Sequence, residues 1–514
     1  MKENNFIKSY AMTHKGEGIY MEYIICMAVY LLIMVGISIY TKKRTNSVND
    51  FALGGRSIPP WMSAFSYGTS YFSAVILIGH AGKNGWTFGM ASFWVVVGNS
   101  LLGTYLAWKV LGRKTREMTQ RLNVATMPQF IGVRYKDQKL RYITSFIIFV
   151  FLVPYAASVY KGLGFLFQIT FGIDEKIIML IMTVVTAFYL FAGGFLAASI
   201  ADFIQGCIMI VGIVLLVIYI LSYGSVGGIV NGIQGLKEIN PDLIMPMTKK
   251  TALPLISLVL MTSLGTWGLP QMISKFYTIK SEKFIPTATI VSTLFAVLVT
   301  TGAYTMGSMS RLILGNVPPT DANGNIIFDK IIPLVLTQDG LMPTIVLAVL
   351  LIVILAASMS TLASLVLASS TTFVMDLVKP VAKDKFSEKQ TVLLLRICCL
   401  VFVAAAYILA TGNSPILNLN ALSWGVVSGS LLAPYLLGLY WKRATKTGVY
   451  VSMASAILIM IGSVAIFGLN SPYITTMSAA SIVLPNLVLV ATSLVTQKME
   501  DRHVAYIFNL AEND

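Results

Sequence analysis

The sequence predicts an all-α integral membrane protein. Hydrophobic residues make up 56% of the 514 residues and charged residues only 11%. Apolar runs of about 18 residues or more, long enough to cross a bilayer as helices, recur along the whole chain. Helix-breaking residues interrupt two of these runs near their middle, at Gly68-Thr69 and at Gly265–Pro270. No soluble globular domain of this size has such a composition.

The apolar runs predict about thirteen transmembrane helices. Each run ends where polar, glycine or proline residues begin, so its edges are uncertain by about two to four residues. The predicted spans are 23–41, 60–82, 86–110, 142–170, 177–195, 199–222, 252–274, 285–312, 343–372, 391–411, 416–440, 446–468 and 475–496. The connections between them are too short for a separate soluble domain.

The distribution of Lys and Arg predicts the orientation of the chain. Alternate loops carry 24 of the 37 basic residues, and the opposite loops with the N-terminal tail carry 9. Because basic residues concentrate on the cytoplasmic side, the N-terminus is predicted outside and the C-terminus inside. We therefore expect a multi-pass protein of the cell membrane, with an extracellular polar tail at 1–22, a single transmembrane domain at 23–496 and a cytoplasmic tail at 497–514.

The net charge of +15 does not indicate a nucleic-acid partner, because the basic residues follow the membrane topology instead of forming one patch. The sequence contains no phosphate-binding loop, zinc motif or nucleophile motif. These absences predict that the protein is not an enzyme, that it does not use ATP, and that ion coupling supplies its energy. No obligate protein partner is evident.

The two interrupted helices point to transport. Unwound backbone at membrane depth is tolerated only where protein or a polar cavity satisfies the freed N–H and C=O groups. Paired breaks in corresponding positions of two halves are the sequence pattern of a transporter whose binding site lies near the midplane.

One predicted span, 343–372, carries a face of small and hydroxyl residues. Ala357, Ser360, Thr361 and Ser364 share this face at helical spacing. Neutral oxygens suit a hard, weakly held cation such as Na⁺, and carbonyls freed by the break at Gly68-Thr69 could complete its coordination. The alternative is that small residues let helices pack closely, with hydroxyls bonding across helices.

Two charged residues inside the spans also need a reason, since charge at membrane depth is costly. Asp202 follows the Gly193-Gly194 turn; it either caps a helix N-terminus or takes part in ion passage. Lys161 lies well inside 142–170; it either snorkels to the outer interface or meets an anionic group of a substrate.

Several strings in the chain resemble the sodium:solute symporter family, which includes Na⁺/proline, Na⁺/sugar, pantothenate and sialic acid carriers. The strings are Asn49–Ser57, Ala192–Ala197 with Asp202 and Gln205, Pro270-Gln271 with Lys275-Phe276, Ala357–Thr361, and Gly429–Pro434 followed by Trp441–Gly448. They occur in family order over nearly the full chain. The resemblance implies a leucine-transporter-like fold with a 5+5 inverted repeat, at about 60–222 and 252–440, plus one extra N-terminal and two extra C-terminal helices.

The resemblance also implies where Na⁺ binds. Its ligands fall on the carbonyls of Thr69, Phe72 and Ala357 and on the hydroxyls of Ser360 and Thr361.

Family members with a second sodium use consecutive hydroxyls at the positions of Ala363 and Ser364, together with the acid that matches Asp202. Because Ala363 has no hydroxyl, only one sodium is assured. Asp202 and Ser364 are candidates for an ion pathway.

The sequence therefore predicts a Na⁺-coupled secondary active symporter that imports a small organic solute by alternating access. The substrate is expected near Tyr71, Ser73, Lys161 and Gln271. If Lys161 meets a carboxylate, an amino acid such as proline or a monocarboxylate is favoured over a neutral sugar. The alternatives are a Na⁺-independent or proton-coupled transporter of the same fold, and a membrane-embedded solute sensor.

Overall fold

The computed structural model describes residues 17–42, 58–321, 323–383 and 385–510, and these residues form an almost entirely helical protein. Within them, the pairing of β type is limited to two isolated bridges, Ile58 with Ile279 and Thr320 with Ile326. The apolar composition explains this, because helices satisfy their own backbone hydrogen bonds and can therefore cross a bilayer.

The first half of the chain contains helices of very different lengths. They are α1 Glu17–Lys42, α2 Pro60–Tyr71, α3 Val75–Gly85, α4 Phe93–Ser100, α5 Arg113–Arg121, α6 Met127–Arg134, α7 Gln138–Phe151, α8 Val153–Phe171, α9 Glu175–Ser222 and α10 Ile229–Ile239. The α3 helix has π-type hydrogen bonding, as do two short segments at Leu101–Leu106 and Trp108–Gly112.

The second half is more regular. Its helices are α11 Ala252–Leu264, α12 Pro270–Thr278, α13 Ile285–Ile313, α14 Ile331–Leu336, α15 Thr344–Phe373, α16 Glu388–Ala410, α17 Ile416–Tyr440, α18 Lys446–Phe467, α19 Ile474–Val495 and α20 Asp501–Phe508. From 285 onward, each predicted span coincides with one long helix to within three residues at both ends.

In the described part of the chain, nine helices are long and apolar enough to cross a membrane. A tenth candidate is the bent pair Ala252–Gly268 and Pro270–Thr278. The protein is thus a multi-pass membrane protein, and the predicted total of thirteen spans stays a prediction.

Both predicted tails contain helical residues. Helix α1 begins at Glu17, so the last part of the tail predicted at 1–22 is helical. The predicted C-terminal tail contains α20, whose last carbonyls, those of Tyr506 and Ile507, accept hydrogen bonds from Arg121. Residues 1–16 and 511–514, and the family string at 49–57, lie outside the described residues.

The first helix break lies later than the sequence predicts. Helix α2 continues through Gly68 and Thr69, and the backbone leaves helical geometry at Phe72, with φ −104° and ψ 99°. Gly68 has a packing role instead, because a Cβ at this position would overlap the ring of Phe295 on α13. The prediction of a break at Gly68-Thr69 is therefore wrong by about one helical turn.

The second break lies where the sequence predicts it. A short 3₁₀ turn, Gly265–Gly268, follows α11, Leu269 is extended, and Pro270 starts α12. The two segments of this broken helix, Ala252–Gly268 and Pro270–Thr278, meet at an angle of 48°. Proline is suited to the first position of a helix because its missing N–H is not needed there.

The inner halves of the two broken helices run antiparallel beside each other. The Ile58 N–H, just before α2, donates to the Thr278 carbonyl at the end of α12, at 3.2 Å. Farther along, the rings of Tyr67 and Phe276 stack with centroids 5.8 Å apart. The start of one helix therefore lies at the end of the other.

Helix α9 spans 48 residues and is not straight. The Thr186 hydroxyl lies 3.5 Å from the sulfur of Met359, and Asp202 accepts a hydrogen bond from Ser360, the next residue of α15. Sixteen residues of straight helix would separate Thr186 and Asp202 by about 24 Å. The helix must bend back between them, in the stretch that holds Gly193 and Gly194, although its helical assignment is unbroken.

Helices α3 and α13 cross closely on the predicted outer side of the protein. A Cβ at Gly85 would overlap the backbone of Gly307 on α13, and a Cβ at Gly307 would overlap that of Ala81. The Arg311 side chain, one turn farther on, donates to the Trp86 carbonyl at 2.7 Å. Small residues allow helix backbones to approach this closely in a membrane.

This crossing predicts that Gly307→Ala destabilises the protein. Overpacking against backbone costs about 1–3 kcal/mol, so the melting temperature of the purified protein should fall. Gly462→Ala on α18 is the control, since no heavy atom lies within 4 Å of the added Cβ and alanine favours helix by up to about 1 kcal/mol. Equal melting temperatures for the two variants would contradict the proposed crossing.

Candidate ion and solute site

Oxygen atoms from α2 and α15 form a compact cluster beside the first helix break. The Thr361 hydroxyl lies 3.1 Å from the Ala357 carbonyl and 3.2 Å from the Thr69 carbonyl. The Ser360 hydroxyl lies 2.9 Å from the Thr69 hydroxyl. Phe72, the remaining predicted ligand, lies in the extended break itself. The structure thus brings the predicted sodium ligands of the two helices together.

The chemistry of this cluster suits Na⁺. Its donors are neutral hydroxyl and carbonyl oxygens, which are hard ligands. Within the described residues, no group of three or more His, Cys, Asp or Glu side chains could hold a metal ion. Thr69, Ala357, Ser360 and Thr361 would hold the ion, with Phe72 completing the set.

Asp202 lies next to this cluster and connects several helices. Its carboxylate accepts hydrogen bonds from Ser66 on α2 and, at 2.6 Å, from Ser360 on α15. Because Asp202 lies deep inside α9, which begins at Glu175, it does not cap a helix N-terminus. The capping alternative is therefore wrong.

The predicted span 252–274 ends just before Lys275, so this residue is expected in a basic loop. The structure instead buries it in α12, with its ammonium 3.6 Å from Asp202 Oδ2 and 3.2 Å from the Ser364 hydroxyl. Ser364 in turn lies 2.7 Å from Ser70. The available signal was its position only five residues after Pro270, where the chain is still at membrane depth.

Aromatic side chains lie beside the first break, on its predicted outer side. The Tyr71 hydroxyl donates to the Thr262 carbonyl at 2.5 Å. Trp424 on α17 meets the ring of Tyr155 edge-on, with centroids 5.6 Å apart, and lies 6.3 Å from the ring of Tyr71. Ser73 interacts with the Tyr155 hydroxyl. Sequence reasoning missed Tyr155 and Trp424, although a Trp in the middle of a span is not an interfacial anchor.

Gln271, at the start of α12, is buried, and neither atom of its side-chain amide has a hydrogen-bond partner in the described part of the structure. The indole N–H of Trp424 is likewise without one. Buried polar groups are normally paired, so unpaired ones indicate a place where a ligand or water binds.

Lys161, the remaining residue expected near the substrate, forms its hydrogen bonds with another part of the chain. Its ammonium donates to the carbonyls of Gly412 and Ser414, at 2.5 and 2.6 Å, in the connection before α17. The adjacent Ile416 N–H donates to Asp329 at 3.0 Å. Lys161 therefore joins α8 to the predicted outer loop, and its hydrogen bonds within the described residues go to these carbonyls instead of Tyr71, Ser73 or Gln271.

A small pocket reaches Lys275 and Ser364, next to the oxygen cluster. Pro270, Lys275 and Ser364 line it, as do Thr126 in the connection between α5 and α6 and Met127 at the start of α6. That connection belongs to the basic, predicted inner face. The pocket therefore joins Lys275 and Ser364 to the basic, predicted inner face of the protein.

The chain resembles known transporters over most of its length. The profile of the sodium:solute symporter family matches residues 51–456. The osmoregulated proline transporter OpuE of Bacillus subtilis is 30% identical over 447 residues, which cover 86% of this chain and 89% of OpuE. A sodium/proline symporter of Staphylococcus aureus is 30% identical over 444 residues, covering 85% of this chain and 84% of the relative.

Two solved structures resemble the fold. A Na⁺-coupled sialic acid symporter, solved substrate-bound and outward-open, has a TM-score of 0.75 at 19% identity and covers 93% of this chain and 99% of its own. A nucleobase-cation-symport-1 family transporter has a TM-score of 0.52 at 14% identity and covers 90% of this chain and 98% of its own. They show a leucine-transporter-like fold, while the predicted repeat boundaries stay a prediction. The family match and the curated relatives support Na⁺-coupled symport, and we conclude that the chain belongs to the sodium:solute symporter family.

Proposed function

We propose that this protein is a Na⁺-coupled symporter that imports a small organic solute, with an amino acid such as proline or a monocarboxylate favoured. The observation that carries the proposal is the oxygen cluster of Thr69, Ala357, Ser360 and Thr361, which joins the broken helix α2 to α15. An ion bound there would hold the two helices together. Its release would let them separate, which couples ion binding to the change of access.

The solute site is proposed beside the two helix breaks. Gln271 offers an unpaired amide at the N-terminus of α12, and the positive end of a helix dipole favours an anionic group such as a carboxylate. The rings of Tyr71, Tyr155 and Trp424 offer an apolar wall on the other side. A small molecule with one carboxylate and an apolar body fits this pairing, and the two named relatives are proline carriers.

The proposed orientation follows from the charges. The basic connections that line the pocket would face the cytoplasm, and Lys161 with Asp329 would lie outside. The structure then corresponds to a state that is closed to the outside, with a pocket on the cytoplasmic side of the ion site.

The function is tested by uptake into liposomes that contain the purified protein. Radiolabelled proline is the first probe, and monocarboxylates, other amino acids and sugars are offered as competitors. We expect uptake to require an inward Na⁺ gradient. Uptake that is equally fast with K⁺ in place of Na⁺ would contradict Na⁺ coupling, and the competitor that inhibits most identifies the solute class.

A second candidate is a proton-coupled transporter of the same fold. The buried pair of Asp202 and Lys275 favours it, since such groups can exchange a proton at the ion site. A pH gradient imposed without Na⁺ would then drive uptake, whereas the first proposal expects no uptake under that condition.

The ion cluster predicts that Ser360→Ala and Thr361→Ala weaken Na⁺ binding. Each change removes one oxygen ligand, which costs about 1–3 kcal/mol, so the Na⁺ concentration for half-maximal uptake should rise about tenfold or more. Ser369→Ala is the matched control on the same helix, because its buried hydroxyl has no partner among the described residues. If all three variants keep the original Na⁺ dependence, the site is elsewhere.

Asp202→Asn should also raise the Na⁺ requirement. The change leaves the positive charge of Lys275 uncompensated close to the ion site, and this repulsion should raise half-saturation by roughly tenfold. The double variant Asp202→Asn with Lys275→Met removes both charges and should recover part of the Na⁺ affinity. A normal rate and Na⁺ dependence in Asp202→Asn, at matched amounts of folded protein, would exclude any role of Asp202 in ion passage.

Lys161→Met should lower the maximal uptake rate more than the solute affinity. The substitution removes two hydrogen bonds that hold the predicted outer loop closed, while the proposed solute contacts stay in place. We expect several-fold slower uptake and a half-saturating proline concentration within roughly twofold of the original. The exposed Lys176→Met serves as control. A selective loss of solute affinity would instead support a carboxylate contact at Lys161.

A further inference from the structure

The ammonium of Lys275 lies in a setting that normally suits a bound cation. Its side chain is 2% exposed, and its nitrogen is 3.2 Å from the Ser364 hydroxyl and 3.6 Å from Asp202 Oδ2. The ring of Phe195 covers another side, with its centroid 5.3 Å from the nitrogen. The positive charge is therefore enclosed by oxygen atoms and an aromatic face.

Two helices besides that of Lys275 supply the oxygen atoms next to this charge, and a third holds Ser70, which contacts one of those oxygens. Asp202 belongs to α9, Ser364 to α15, and Ser70, which lies 2.7 Å from the Ser364 hydroxyl, to α2. A carboxylate and two hydroxyls are a suitable set of ligands for a hard cation, which prefers oxygen. The pocket on the predicted inner side also reaches Lys275 and Ser364, so an ion could enter from there.

We propose that the Lys275 ammonium is a tethered cation that fills a second cation site formed by Asp202, Ser364 and Ser70. The inference rests on the proposed function, because it takes the neighbouring cluster of Thr69 and Thr361 as the site of the first ion. The chain itself then supplies the second positive charge, and one Na⁺ binds per protein instead of two.

The charge balance gives a reason for this arrangement. Ser360 lies between the two sites, since its hydroxyl contacts both Thr69 and Asp202. With Lys275 in place the Asp202 charge is compensated, and the first ion is held by neutral oxygens alone. Without Lys275 the carboxylate would be an uncompensated anion in an apolar setting, which is costly enough to favour uptake of a mobile cation.

The test is equilibrium binding of ²²Na⁺ to the purified full-length protein without solute. We expect the unchanged protein to bind one Na⁺. Lys275→Ala should bind one more and show a Hill coefficient above one. Lys275→Arg retains the charge and should bind one, and Lys275→Ala combined with Asp202→Asn lacks the carboxylate and should also bind one. Size-exclusion profiles establish that each variant is folded.

The ion pair of Lys275 and Asp202 could instead have a purely structural role and hold α12 against α9, and this simpler role predicts a different result. Lys275→Ala would then lower the melting temperature and bind no additional Na⁺, which overturns the proposal. Two ions bound by the unchanged protein also overturn it, even if Lys275→Ala does not fold. Absence of Na⁺ binding by the unchanged protein contradicts the proposed function, whereas one additional ion in Lys275→Ala still supports the tethered cation.

Discussion

The carboxylate of Asp202 connects its own helix, α9, to three other helices of this protein. It contacts Ser66 on the first broken helix, Ser360 on α15 and Lys275 on the second broken helix. A charged side chain at membrane depth costs about 2.5–3.5 kcal/mol on insertion scales, and pairing within the protein reduces that cost. The need to pair this one charge therefore determines where the three other helices lie around α9.

Close backbone contacts complement this polar centre. Gly68 lies against Phe295, and Gly85 lies against Gly307, so α13 packs along both halves of the first broken helix. In a membrane there is little hydrophobic drive between helices, and such contacts contribute through packing and weak hydrogen bonds. Packing of this kind can be separated and remade at moderate cost. The architecture thus combines a few strong polar contacts at its centre with many weak contacts around them.

The asymmetry of the structure fits alternating access. On one side, Lys161 and Asp329 hold the connection before α17 against the rest of the protein. On the other, a pocket reaches Lys275 and Ser364. The proposed ion site, formed by the oxygen cluster of Thr69, Ala357, Ser360 and Thr361, lies between these two regions. Binding or release of an ion there could therefore affect either region through α2 and α15. An equilibrium between two such states shifts only if the ligands bind the states with different affinity.

The sequence by itself determined the membrane class, the long helices after 285, the second helix break and the hydroxyl face of α15, because apolar length, proline and helical spacing are local properties. It did not place the first break, because Gly68 is explained by a ring of α13 far along the chain. It counted Lys275 as a loop residue and left Trp424 and Tyr155 unnoticed, since their roles depend on partners from other helices. Lys161 shows the same limit: the sequence showed that its charge needs a partner, and only the tertiary structure decided that the partners are two backbone carbonyls.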